Sequence, residues 1–186
     1  GFAANLGGKL ARNHLTTHLL EQGGHFEVNG FSLTGLGQHH NTTTTTHHPV
    51  ANTSANQCVR NVVAGNGERG GHAAFLGQYL VAAEALHTDA GMRCQNLLLG
   101  ERAKADYKPE LEIFADDVTC NHGATTGRLD EEQLFYLRQR GLSRLEAEAL
   151  LTEAFVAGLI ETLGNEQAEE TLLAKTRQWL KAMGEA

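Results

Sequence analysis

Across residues 110–116, Leu111, Ile113 and Ala115 alternate with Glu110, Glu112, Phe114 and Asp116. That period of two predicts a strand with one buried face. A second extended run, residues 118–122, follows the Asp116-Asp117 break. Upstream, Phe26-Glu27-Val28 and Phe31-Ser32-Leu33 flank Asn29-Gly30, a dipeptide that favours a two-residue turn and so predicts strand, turn, strand. Residues 52–71 read as a polar loop bounded by one strand at 59–64 and ending in G-N-G-E-R-G-G. Four short strand candidates follow at 72–75, 78–81, 92–94 and 97–99, punctuated by Gly77, Gly91 and Gly100. Many short strands with glycine corners and no intervening helix fit a β-solenoid of stacked coils, and locally they fit a β-sandwich as well.

The period changes after residue 129. Asp130 and Gln133 have capping-box spacing, Leu134 and Leu137 form an apolar stripe, and Gly141 suits a helix stop. Ser143 and Glu146 repeat the box. Leu150, Leu151, Ala154, Phe155, Gly158 and Leu159 then predict a helical face broad enough to bury, ended near Gly164. A third helix carries Leu172, Leu173, Trp179, Leu180 and Met183. These faces are expected to pack on the β region and on one another, with Trp179 also suited to anchor an interface. The division expected is 1–129 for a β core that is incomplete at its N-terminal side, and 130–186 for a helical subdomain.

The 186 residues carry a formal charge of -7, which argues against a nucleic-acid surface, since that needs a basic patch. Five of those negative charges fall from Asp130 onward, where eleven acidic residues meet six basic ones. This makes the helical end a solvated acidic face, or a surface for a basic partner. No apolar run is long enough to span a bilayer and no signal-peptide pattern is present, so the expectation is a protein that is neither membrane-bound nor secreted. Three widely spaced cysteines make no disulfide framework and fit a reducing cytoplasm.

Two stretches carry metal-binding side chains. His39-His40 and His47-His48 bracket five threonines, but β-branched threonines favour a strand, whose alternation would split each histidine pair across two faces. His14 and His18, four apart, would share a metal only on a helix, and the intervening L-T-T suits a strand equally well. The second stretch is the run at 118–122, where Cys120 and His122 stand at i and i+2 and project from one side of a strand, with backbones roughly 6.5 Å apart. Thiolate and imidazole suit iron, zinc, copper or an iron–sulfur cluster. A closed site needs about four ligands, so other residues, another subunit or the cargo must complete it. Cys120 as a plain core residue and His122 as a surface histidine is the structural alternative.

The stretch K-P-E-L-E-I-F-A-D-D-V-T-C-N-H-G-A-T-T-G from Lys108, followed by R-L-D-E-E-Q-L-F-Y-L-R-Q-R-G-L, closely resembles the signature of the SufB/SufD family, scaffold subunits of iron–sulfur cluster assembly. Weaker resemblance extends upstream through Pro49, Asn52, Ser54, Gln57, Phe75, Gly77, Thr88-Asp89 and residues 97–100. The SufD-like branch is the better match, because SufB-type chains typically have His-Glu-Ala-Thr where His122-Gly123-Ala124-Thr125 stands. Cys94 departs from that branch and falls where SufB-type chains carry a cysteine associated with cluster assembly.

The resemblance implies a mainly β fold with α: a right-handed parallel β-helix followed by the C-terminal helical subdomain. It implies a non-catalytic scaffold that pairs with a SufB-like paralogue through the β-helix and binds the SufC ATPase through the helical end. A homodimer is the pairing open to it in isolation. A transient iron–sulfur cluster would be shared with the partner on His122 and Cys120, with Cys94 as a further ligand if its coil stacks beside that of Cys120. The chain has no Gly-x-x-x-x-Gly-Lys-Ser/Thr phosphate loop, so nucleotide belongs to the ATPase. Two rivals remain. One is a β-helix carbohydrate-active enzyme, although Asp116 and Asp117 would point to opposite faces of a strand. The other is a purely structural partner of SufB without ligands.

Overall fold

The computed structural model describes residues 1–66 and 69–184. Its elements are β1 (Phe2–Asn5), β2 (Leu10–His18), β3 (His25–Thr34), β4 (His39–His48), β5 (Ser54–Asn66), β6 (Arg69–Gly70), β7 (His72–Val81), β8 (Asp89–Leu99), β9 (Lys104–Ile113) and β10 (Thr119–Gly127). The helices α1 (Glu131–Gln139), α2 (Arg144–Ile160) and α3 (Glu166–Gly184) follow. The strands form two stacks, β1-β3-β5-β8-β10 and β2-β4-β7-β9, every neighbour within a stack running parallel. Each coil contributes one strand to each stack, giving a parallel β-solenoid of about four turns. The short β6 pairs antiparallel with the end of β5.

Three local expectations fail for physical reasons. Asn29-Gly30 is not a turn but the middle of β3. Gly30 faces Ala3 in register, and a Cβ there would lie 2.7 Å from the Ala3 carbonyl oxygen, so the glycine serves close strand approach. The loop expected at 52–71 is mostly the thirteen-residue strand β5; its Gly67 and Glu68 lie outside the described residues. The paired candidates at 72–75 and 78–81, and at 92–94 and 97–99, are each one continuous strand, β7 and β8, with Gly77 and Gly91 inside them.

Those strands looked interrupted because the solenoid interior is partly polar. Asn5, Ser32, Asn61, Asn96 and Thr126 stand in register on successive coils. Asn5 donates to the Ser32 hydroxyl at 3.2 Å, Asn61 to Asn96 Oδ1 at 2.8 Å, and Asn96 to Thr126 Oγ1 at 3.0 Å. Three of the four steps of this ladder are thus closed by a side-chain hydrogen bond. Around this ladder pack Ala55, Val59, Phe75, Tyr79, Ala90 and Met92. The histidine tract obeys the strand period: His40 and His48 are buried inside, while His39 and His47 lie outward. At one corner the turns repeat, Gly23, Asn52 and His87 all having left-handed φ. Their backbones link coil to coil, Gly23 N to Asn52 O at 2.9 Å and Asn52 N to Leu86 O at 2.8 Å.

The outer side of the first stack is covered by helix. Phe31, Leu33, Val62 and Leu97 form one cluster with Val156, Leu159 and Ile160 of α2, joined by Leu172, Leu173 and Trp179 of α3. Burying each large side chain contributes roughly 1.5–3 kcal/mol. Trp179 is thus half-buried within the chain's own core. The buried face of α2 runs through Ala147, Thr152, Val156, Leu159 and Ile160. Leu150, Ala154 and Gly158, expected on that face, are exposed. Ser143 and Glu146 form the expected capping box, whereas the Asp130 carboxylate accepts from the Glu132 amide at 2.8 Å, one residue short of Gln133. Gly141 and Gly164 take left-handed φ at the helix ends.

Candidate functional site

Both stacks end at the same side of the molecule, in β9 and β10. Among the described residues each of these strands pairs on one edge only, so this end of the solenoid presents two rows of free backbone donors and acceptors. Side chains that point inward on earlier coils are roofed by the next coil. On the last coil they are not, which is why Ile113, expected to be buried, is 37 % exposed.

Cys120 and His122 lie on this last strand. Cys120 stands opposite Ala90 and His122 opposite Met92, both buried inward-facing residues of β8. Strand alternation therefore sends the thiol and the imidazole to the interior side of the open coil. Cys120 is half-buried, packed against Val81, Ala85 and Ala115 on one side and the Tyr79, Ala90 and Met92 cluster on the other. Burial pushes its thiol up, the nearby Asp89 carboxylate adds to that, and a backbone hydrogen bond with Ala90 opposes it. His122 is exposed, its ring centroid 6.5 Å from that of Tyr107 on β9.

Cys94 sits on β8, the strand beside β10, and faces the same interior side. Its register partner is Ala124, so it is displaced four residues, about 13 Å, along the strand from Cys120. It is buried, with Asn61 Nδ2 at 3.7 Å and Asn96 Oδ1 at 3.5 Å from its sulfur. Burial raises the thiol to about 12, with the Asn96 hydrogen bond opposing the shift. The adjacency of coils expected for Cys94 is present, but the four-residue offset separates its sulfur from Cys120, whereas the offset from His122, opposite Met92, is two residues.

Tyr107 was not singled out by sequence reasoning. It packs against the Val59, Phe75 and Cys94 cluster and also against the cluster that contains Cys120. Its ring stacks on Phe75 at 5.7 Å and 14°. Burial raises its phenol to about 12, with Cys94 contributing. Its signal was only the inward parity of β9. Cys58, also passed over, lies on the outer side of β5, half-buried beside Arg93 in register. Its thiol is raised by burial, against the pull of Arg60 and Arg93.

The other candidates do not converge. Among the described residues no group of three or more histidine, cysteine or acidic side chains is placed to hold a metal ion. His14 and His18 lie on strand β2, and His18 stacks on His47 at 4.2 Å. His39 meets His72 at 4.4 Å, and His72 Nε2 is 2.6 Å from Asp106. Asp117 pairs with His87 at 2.9 Å, apart from Asp116. No described helix is long and apolar enough to cross a membrane.

The class the fold defines is a parallel β-solenoid followed by three helices, its last strands unpaired on one edge among the described residues and carrying a thiol and an imidazole. Residues 1–155 match the family described as "SUF system FeS cluster assembly, SufBD core domain". The match begins at residue 1, so the likeness is not confined to the second half. The chain is 37 % identical over 175 residues to the iron–sulfur cluster assembly protein SufD of Escherichia coli, covering 94 % of this chain and 40 % of that protein. It is 33 % identical over 162 residues to a SufBD family protein of Synechocystis, covering 86 % and 34 % respectively. A SufBD family protein of Mycobacterium leprae is 31 % identical over 173 residues, covering 91 % and 44 %. The chain belongs to the SufBD family of iron–sulfur cluster assembly proteins and is SufD-like. It spans about two fifths of the length of these relatives.

Proposed function

We propose that this chain is part of a non-catalytic scaffold subunit on which an iron–sulfur cluster is built, with the cluster as cargo. The observation that carries this reading is the emergence of Cys120 and His122 together at the unpaired end of the solenoid. Two ligands cannot close a cluster site, and a second subunit brought against the free edges of β9 and β10 can supply the remainder. A SufB-like paralogue is the partner assigned to that position, and a second copy of this chain takes it in isolation.

The helical end is the proposed seat of the SufC ATPase. Phe135, Tyr136, Leu145 and Leu150 are exposed on α1 and α2, apolar anchors among charged side chains of both signs. Nucleotide binding falls to that partner. Three free thiols suit the reducing cytoplasm. Cys94 is a secondary candidate that would act from inside the coil.

The test is reconstitution of the complex with paralogue and ATPase under anaerobic iron and sulfide. His122→Ala is expected to lose the cluster absorbance while all three proteins still copurify. Full cluster yield in that variant would remove His122 as a ligand, and full yield without both Cys120 and His122 would leave the subunit a structural partner without ligands.

A further inference from the structure

The interior of the last coil holds one polar atom that the fold leaves without a partner. Tyr107 Oη is buried and, among the described residues, has no hydrogen-bond partner. Buried hydroxyls ordinarily have one. The phenol is held by stacking on Phe75, packs against Cys94 and against the cluster holding Cys120, and its ring faces His122. It is the residue of the opposite stack that meets the surroundings of all three candidate ligands.

We propose that Tyr107 belongs to this site and that its O–H donates to a sulfur-centred acceptor, a sulfide brought into the last coil. The surroundings select that chemistry. Val59, Phe75 and Met92 supply apolar and polarisable walls, and β9 and β10 send no lysine or arginine inward. A hard, multiply charged anion such as phosphate would be stripped of water there without compensation. A soft, singly charged sulfide loses less and is matched by thiol, thioether and phenol contacts. The assignment rests on the cluster-assembly reading for the role of the sulfide, but its binding can be measured alone.

Sodium sulfide is titrated anaerobically into the protein labelled at tyrosine 13Cζ, the three tyrosines being distinguished by single phenylalanine replacements. The Tyr107 resonance is expected to shift saturably with sulfide and not with equal chloride. No shift, or the same shift with chloride, overturns the proposal. In the reconstituted complex Tyr107→Phe is expected to lower cluster yield at least threefold with an equal or higher melting temperature, because it deletes only an unpartnered hydroxyl. Unchanged yield overturns the proposal, as does a fall of several degrees in melting temperature, which would reveal a structural partner. If the complex lacking both Cys120 and His122 keeps full cluster yield while the sulfide shift persists in the wild type, the cluster reading fails and the sulfide site stands.

Discussion

Acid should weaken this fold chiefly through one interior histidine. His48 is fully buried, its Nδ1 2.8 Å from Thr53 Oγ1, and its Nε2 has no partner among the described residues. Burial, with a smaller contribution from His47, lowers its pKa from 6.5 to about 4. The unfolded chain therefore binds a proton that the folded chain refuses. Stability from this group is complete above pH 6.5 and is lost as pH falls toward 4. Between pH 7.5 and pH 5 the loss is about 2 kcal/mol, from 1.36 kcal/mol per pKa unit. His40 is also lowered by burial, against hydrogen bonds that its ring makes to the backbone of Gly8 and Gly7, and adds in the same direction. Urea unfolding of the wild type and of His48→Gln, whose neutral amide keeps a hydrogen-bonding group beside Thr53, isolates this contribution. The variant should lose about 2 kcal/mol less than the wild type over this interval. Equal losses would refute the reasoning.

Other consequences follow from the packing. Asn96→Ala strips the oxygen acceptor from the buried Asn61 Nδ2 and should cost about 1–3 kcal/mol in urea unfolding, the penalty for one buried group left unsatisfied; it also removes the donor to Thr126 Oγ1 and should speed amide exchange along β10. Ile160→Ala, at a fully buried contact between α2 and the outer side of the first stack, should cost about 2–5 kcal/mol by the same assay. Ser143→Ala removes the capping box of α2 and should cost about 1 kcal/mol.

The helical end was legible because its signals are local. Ser143 and Glu146 form a box and Gly141 and Gly164 stop helices through contacts within a few residues. The facing of α2 was less so, since Leu150 and Ala154 are as apolar as Leu159 and only the sheet beneath decides which are covered. The coils were harder to read. Gly77 and Asn96 look like breaks in short strands, yet Gly77 makes room for Met92 and Asn96 is satisfied by Asn61 and Thr126 of neighbouring coils. Those partners lie some thirty residues away, beyond any local period. At the site, the shared side of Cys120 and His122 was readable from strand alternation alone. The four-residue offset of Cys94 and the approach of Tyr107 were not, because they depend on the register between β8 and β10 and on the opposing stack.

The central claim is that His122 binds the cluster cargo at the open end of the solenoid. Electron–nuclear double resonance of the reduced cluster, formed in the complex with this chain 15N-labelled at histidine, tests it directly. The account predicts a strongly coupled nitrogen that vanishes in His122→Ala. The same coupling in the variant, or no nitrogen coupling in the wild type, would contradict it.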